Sequence, residues 1–360
     1  MLTPRTALRV ALTGLALGLL PGCGTLYVLQ AARGEEQLLH ARRPIERVIT
    51  DPRTPAALRA TLNDVSAARE FASRSLGLPD NRSYRTYADI HRMYIVWNVV
   101  ATPEFSVRPR EWCFPVAGCV AYRGYFHEKS ARRFAAGLAA RHFDVLVDGV
   151  PAYSTLGRFA DPLVSTMLVY GQAELAGIMF HELAHQLIYV RNDSAFNEAF
   201  ATAVEDEGLA RWLAANGRLA ELGAYQAATA RYLQYVRLLR DAREDLARLY
   251  ASGVEREQMR ARKRARLDAL ADAMRELEQR QHAPSPYRDW LESGLNNAHL
   301  ASVATYYDCV PGFERMLREA NGDLPAFYAR VRELARRPQA ERDALVCRDA
   351  SSAPPSRDSG

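Results

Sequence analysis

Five residues carry the clearest chemistry in this chain: His181-Glu182-Leu183-Ala184-His185. On a helix, residues four apart lie on one face, so both imidazoles can reach a single metal ion. Glu182 follows His181 directly, where its carboxylate can reach a water bound to that ion. The reaction this spacing describes is metal-assisted attack of water on a carbonyl. Leu175, Ala176, Ile178, Met179 and Phe180 precede the pattern, and Leu187, Ile188 and Val190 follow it. Polar groups in so apolar a setting need partners, because burying them unpaired is costly.

A third ligand must come from elsewhere. Asn192-Asp193-Ser194 reads as a turn and helix start. The helix expected over residues 195–205 carries two carboxylates, Glu198 and Glu205, seven apart and so on one face. If the two helices form a hairpin, the rise per residue sets Glu198 level with His185 and Glu205 roughly level with His181. Spacing alone leaves both open.

An H-E-x-x-H followed by Asn197-Glu198 on a later helix resembles the gluzincin zinc peptidases. The resemblance implies one Zn²⁺ held by His181, His185 and Glu198, with Glu182 as general base. The spacer of 12 residues between His185 and Glu198 is shorter than in thermolysin-like enzymes. Glu205, with 19 residues between, fits that longer spacing but lacks the preceding Asn. It stays an alternative third ligand, a support for a ligand, or a carboxylate that reads a substrate's free amine. A broader resemblance rests on Trp112-Cys113-Phe114-Pro115-Val116-Ala117-Gly118-Cys119, Tyr122-Arg123-Gly124-Tyr125-Phe126, residues 181–186, Phe196-Asn197-Glu198-Ala199-Phe200-Ala201 and Asn296-Asn297-Ala298. These segments look like the bacterial putative aminopeptidase family, whose members are predicted lipoproteins with a zinc-peptidase motif. What that implies is a zinc metallopeptidase that removes amino-terminal residues.

The elements that must position these groups can be read coarsely. Residues 26–76 show helical periodicity. Residues 93–100, 116–126 and 143–147 are rich in β-branched and aromatic types and read as strands. Residues 153–159 read as a short strand before the H-E-x-x-H helix. In zincins an edge strand beside the metal pairs with the substrate backbone, which makes Tyr153 a candidate substrate contact. Beyond Gly217 the chain turns helical and charged, with Met259, Leu267, Leu270, Met274 and Leu277 at amphipathic spacing. That pattern predicts a long helical hairpin or arm, a solvated face where a protein partner could dock. The expected fold is α+β and helix-rich: a zincin-like metallopeptidase core with an active-site helix, a small mixed sheet and the long hairpin. The boundaries follow as a signal over 1–22, a catalytic region over 23–220, a helical region over 221–348 and a disordered tail over 349–360.

Arg5 and Arg9, an apolar stretch over 10–20 and Leu20-Pro21-Gly22-Cys23 look like a lipoprotein signal, with Cys23 lipidated. The expected location is the cell envelope, anchored at Cys23 and facing the periplasm or the outside. The other four cysteines form an even set for an oxidising compartment. Cys113–Cys119 would close a turn-prone loop, which leaves Cys309–Cys347 as the second pair. The formal net charge of +5 comes from basic residues interspersed with acids, a pattern that speaks against nucleic acid. A metallopeptidase also needs a donor for the oxyanion; the polar-aromatic cluster late in the chain offers Tyr306 or Tyr307. Peptide is therefore the expected substrate. The competing readings are a zinc endopeptidase of the envelope and a non-catalytic envelope lipoprotein with a structural zinc site.

Overall fold

The structure, a computed structural model, describes residues 22–114, 118–152, 154–307 and 309–347; for residues 22–26 and 304–307 only the backbone is described. The fold is α+β and helix-rich. Helix α1 (Gly22–His40) leads into strand β1 (Arg42–Pro44), helices α2 (Ile45–Thr50) and α3 (Ala56–Arg74), and strands β2 (Thr86–Ala88) and β3 (Val96–Pro103). Strands β4 (Trp112–Phe114), β5 (Gly118–Val120) and β6 (Tyr122–Tyr125), helix α4 (Glu128–Ala139) and strands β7 (Phe143–Val150) and β8 (Leu163–Val164) follow. A 3₁₀ turn (Ser165–Val169) then leads into α5 (Gln172–Leu187), the helix of the H-E-x-x-H pattern, and α6 (Ser194–Ala215).

The sheets are small. One is antiparallel in the order β6-β3-β7, so β7 is an outer strand. A mixed sheet runs β1-β2-β8, antiparallel at its first pair and parallel at its second. A β4-β5 hairpin pairs Cys113 with Cys119. Both expected disulfides form, Cys113–Cys119 and Cys309–Cys347.

The principal core is built around α5 and α6. Leu175, Ala176, Met179, Phe180, Leu183 and Ala184 of α5 are buried against Phe196, Ala199, Phe200, Ala203 and Val204 of α6, with α3 completing the layer. Helices α7 (Leu219–Ala251) and α8 (Arg256–Gln281) form the long hairpin. Its seam joins Tyr235, Leu239, Ala242 and Leu246 to Leu267, Leu270, Met274 and Leu277, an apolar stripe at helical period. Charge ties the hairpin to the sheet: Arg260 binds Glu104 at 2.5 Å and Lys263 binds Asp144 at 2.6 Å. After α9 (Arg288–Ser293) and α10 (Asn297–Tyr307), helices α11 (Val310–Glu319), α12 (Leu324–Ala335) and α13 (Gln339–Val346) return to the principal core.

The segment read as a strand over 153–159 is not one among its described residues. Ser154, Thr155 and the residues after them curl around Asp161, whose carboxylate accepts from the Thr155 hydroxyl (2.7 Å), the Thr155 amide (3.2 Å) and the Ser154 hydroxyl (3.4 Å). Leu156 and Gly157 both have positive φ, 56° and 74°. A buried carboxylate that captures nearby backbone and hydroxyl donors favours a turn over a strand. Tyr153 lies outside the described residues. The outer strand that does reach the site is β7.

Candidate metal centre

Helix α5 begins at Gly171, whose amide donates to the Glu174 carboxylate at 3.3 Å. Its inner face is apolar for three turns and then presents His181, Glu182 and His185. Helix α6 starts at Asp193, which caps it by accepting from the Phe196 amide at 3.1 Å. The turn between the helices is clamped by Asn197. Its side-chain amide donates to the Val190 carbonyl and its oxygen accepts from the Val190 amide, both at 2.7 Å. Asn197 is buried, so this two-way bond fixes how α6 leaves the turn and aims the next residue, Glu198, at α5. Asn192 holds the turn from outside: with φ 65° it accepts from the Cys119 amide at 2.9 Å, docking the disulfide hairpin on it.

Three donor atoms converge. His181 Nε2 and His185 Nε2 are 3.1 Å apart, and Glu198 Oε2 lies 3.2 Å from the first and 3.6 Å from the second. Among the described residues these three form the group that could hold a metal ion. Donors on a tetrahedral zinc at 2.0–2.2 Å stand about 3.3–3.5 Å apart, so the donor set and its spacing fit zinc. Glu205 sits on the other side of the His181 ring, with Oε2 3.0 Å from Nδ1. This arrangement fixes which ring nitrogen faces the centre. Burial disfavours charge on His181, but the Glu198 and Glu205 carboxylates outweigh it and raise its pKa. Burial likewise works against charge on Glu198, and the two imidazoles overcome it and hold its carboxyl well below the ordinary range. His185 Nδ1 is buried and has no hydrogen-bond partner among the described residues.

Glu205 packs closely over a glycine. A Cβ at Gly177 would stand 3.1 Å from Glu205 Oε1 and 3.4 Å from its Cγ, so a side chain there would crowd the carboxylate. Gly177 lies one turn before His181 on the same helix.

Several neighbours carry no sequence signal of their own. The buried Arg69 guanidinium gathers the 79–83 loop, donating to the carbonyls of Ser83 (2.9 Å), Pro79 (2.8 Å) and Asn81 (3.1 Å). Asn81 in turn donates to Gln186 at 2.7 Å, bracing α5. Tyr84 is buried close enough to Glu182 and Asp161 for their charges to raise its pKa further than burial alone. Tyr189, one turn past His185, has its ring 6.4 Å from that imidazole and is partly exposed. Its i+4 spacing from His185 is the one signal by which sequence could have found it. The side chains of Tyr306, Tyr307 and Cys23 lie outside the described residues. His299 is buried, and burial lowers its pKa to about 4.

A cavity of about 200 Å³ opens beside His181, Glu182 and Glu205, walled by the end of β7 and by Tyr170. Helix-rich α+β architecture, two imidazoles and a carboxylate on a helical hairpin, and an adjoining cleft define the class of protein. Comparison with known families agrees in kind. The chain matches the family described as "Putative aminopeptidase" over residues 26–346, nearly its whole length, and belongs to that family. No curated protein and no solved structure matches it.

Proposed function

We propose that this protein is a zinc-dependent aminopeptidase in which His181, His185 and Glu198 hold the metal and Glu182 is the general base. The observation that carries the reading is the convergence of three donor atoms beside a cavity that Glu182 lines. Zinc bound by these donors supplies Lewis acidity and a water acidified to a pKa of about 7. A Glu182 carboxylate oxygen takes a proton from the attacking water as its oxygen bonds to the peptide carbonyl carbon. The same oxygen returns that proton to the leaving nitrogen as the C–N bond breaks, so one residue serves both halves of the reaction. Glu205 keeps the His181 ring turned so that Nε2 faces the centre. Family membership supports peptide as the substrate.

The proposal extends to lipid anchoring at Cys23, outside the inner membrane or on the cell surface. Helix α1, whose first turn includes Cys23, is seated on the body. Tyr27 stacks on Phe114 at 5.3 Å, and Gln30 accepts from the Phe126 amide at 3.2 Å. Among the described residues no helix is long and apolar enough to cross a membrane.

Glu182→Gln is the direct test. The variant should bind zinc as the wild type does while kcat/KM for a peptide falls at least about 10²–10⁴-fold, the range of general-base catalysis. Hydrolysis at the wild-type rate would sink the mechanism.

A further inference from the structure

We infer that the cavity beside His181 is the seat of the substrate's amino-terminal residue, and that it selects a free ammonium group carrying an apolar side chain. The inference rests on the peptidase reading and narrows its substrate. The cavity's walls are of two kinds. Val150 at the end of β7, Ala152 two residues beyond it, Tyr170 from the turn before α5, and Ile178 from α5 itself are apolar or aromatic. Glu182 and Glu205 are the acidic groups, and no lysine or arginine lines the space. An apolar pocket with a few convergent polar groups is the usual form of a small-ligand site.

The carboxylates divide the work by position. Glu205 spends Oε2 on His181 Nδ1. Its Oε1, lying over Gly177, has no hydrogen-bond partner among the described residues. That oxygen is available to an ammonium donor one residue's length from the donor cluster. Glu182 lies on the same cavity one helical residue from His181, where the scissile carbonyl would sit. A peptide placed this way has its first residue in the cavity, its first carbonyl at the centre, and the remainder leaving along the open side. The volume sets the limit. A cavity of about 150 Å³ admits a benzene-sized guest, so about 200 Å³ takes one aliphatic or phenyl side chain. An aspartate side chain would put an unpaired charge against Val150, Ala152 and Ile178 and a further negative charge beside Glu182 and Glu205, which is costly. An acetylated terminus would leave Glu205 Oε1 facing an amide with no charge to offer.

The test uses the full chain in detergent, loaded with zinc, and compares Leu-, Gly- and Asp-first tripeptides with N-acetylated Leu-first peptide. The expected result is a kcat/KM for the Leu-first peptide at least about tenfold above the Asp-first one, and a loss of about 10–100-fold on acetylation, the cost of one unmade charged hydrogen bond. Ala152→Phe, which fills the cavity, should lower the Leu-first to Gly-first ratio by tenfold or more. A ratio unmoved by Ala152→Phe overturns the inference and leaves the aminopeptidase reading intact, whereas equal hydrolysis of free and acetylated peptides overturns both and leaves only a peptidase. If no peptide is cleaved, the peptidase reading fails, and calorimetry with leucine amide then decides the pocket alone. Saturable binding that is weakened by Ala152→Phe and absent for N-acetyl-leucine amide supports it; no binding overturns it.

Discussion

At the scale of single residues, the two carboxylates of α6 do different work although each touches His181. Glu198 Oε2 faces both Nε2 atoms, at 3.2 and 3.6 Å, whereas Glu205 reaches only Nδ1 of His181. One imidazole nitrogen cannot serve a metal and a carboxylate at once, so the roles are exclusive. Glu198→Ala should therefore strip zinc from the protein, read as metal content after gel filtration. Glu205→Ala should keep the metal with affinity lowered about 10–100-fold, the usual effect of losing a group that orients a metal-bound histidine. The reverse ranking would make Glu205 the ligand. His181, Glu182 and His185 were legible in the sequence because their relation is local to one helix. The choice between Glu198 and Glu205 was not, because spacing set both at usable heights and only the rotation of α6 about its axis separates them.

At the scale of elements, the hairpin turn decides that rotation. Asn197 answers both polar groups of Val190, so Asn197→Ala leaves a donor and an acceptor unpaired in a mostly buried turn. Urea unfolding should show a loss of about 2–3 kcal/mol, the cost of two unmade bonds. Zinc affinity should fall with it, since Glu198 is aimed by the same turn. Helix α1 offers a pH-dependent case. Both Glu35 oxygens are buried without a hydrogen bond, and burial, reinforced by the Asp161 charge and opposed by Arg42, raises its pKa to about 7. The folded protein thus holds a proton that the unfolded chain releases near its ordinary value of about 4.3. Stability from this group is present at low pH and is lost as pH rises toward 7. Glu35→Gln should raise stability by on the order of 1–2 kcal/mol at pH 8 and by much less at pH 5, followed by thermal unfolding at the two values. A stabilisation equal at both would remove the titration as its cause.

At the scale of the whole molecule, the end of the chain holds the centre in place. Arg342 of α13 donates to Asp193 at 2.8 and 2.5 Å, and Asp193 is the residue that caps α6. Five residues later Cys347 is bonded to Cys309, closing a span of 38 residues. Replacing both cysteines by serine should cost about 3–4 kcal/mol from the loop closed in the unfolded chain. Because α13 also latches the cap of α6, the variant should bind zinc more weakly than the matching Cys113→Ser/Cys119→Ser protein. Denaturant unfolding and metal competition measure the two effects separately. Equal zinc affinity in the two variants would show that the Arg342–Asp193 pair holds without the disulfide. The cysteine pairing was legible, since four thiols in an oxidising setting pair and one loop was short. The latch was not: nothing local links residue 193 to residue 342.

Sequence by itself determined the parts whose geometry is set within one or two helical turns. The period of 3.6 residues alone puts His181 and His185 on one face, and the apolar flanks bury that face. Apolar period likewise set the seam of the α7–α8 hairpin, where the expected Leu267, Leu270, Met274 and Leu277 are buried. Tertiary structure decided what depends on groups far apart in the chain. It set which carboxylate faces the two Nε2 atoms, through the Asn197 clamp on the turn. It turned residues 154–161 into a loop, because Asp161 offered their donors a buried acceptor. It also walled the cavity with the end of β7 and Tyr170. These outcomes follow from distances in space, and a local pattern of residue types carries no record of them.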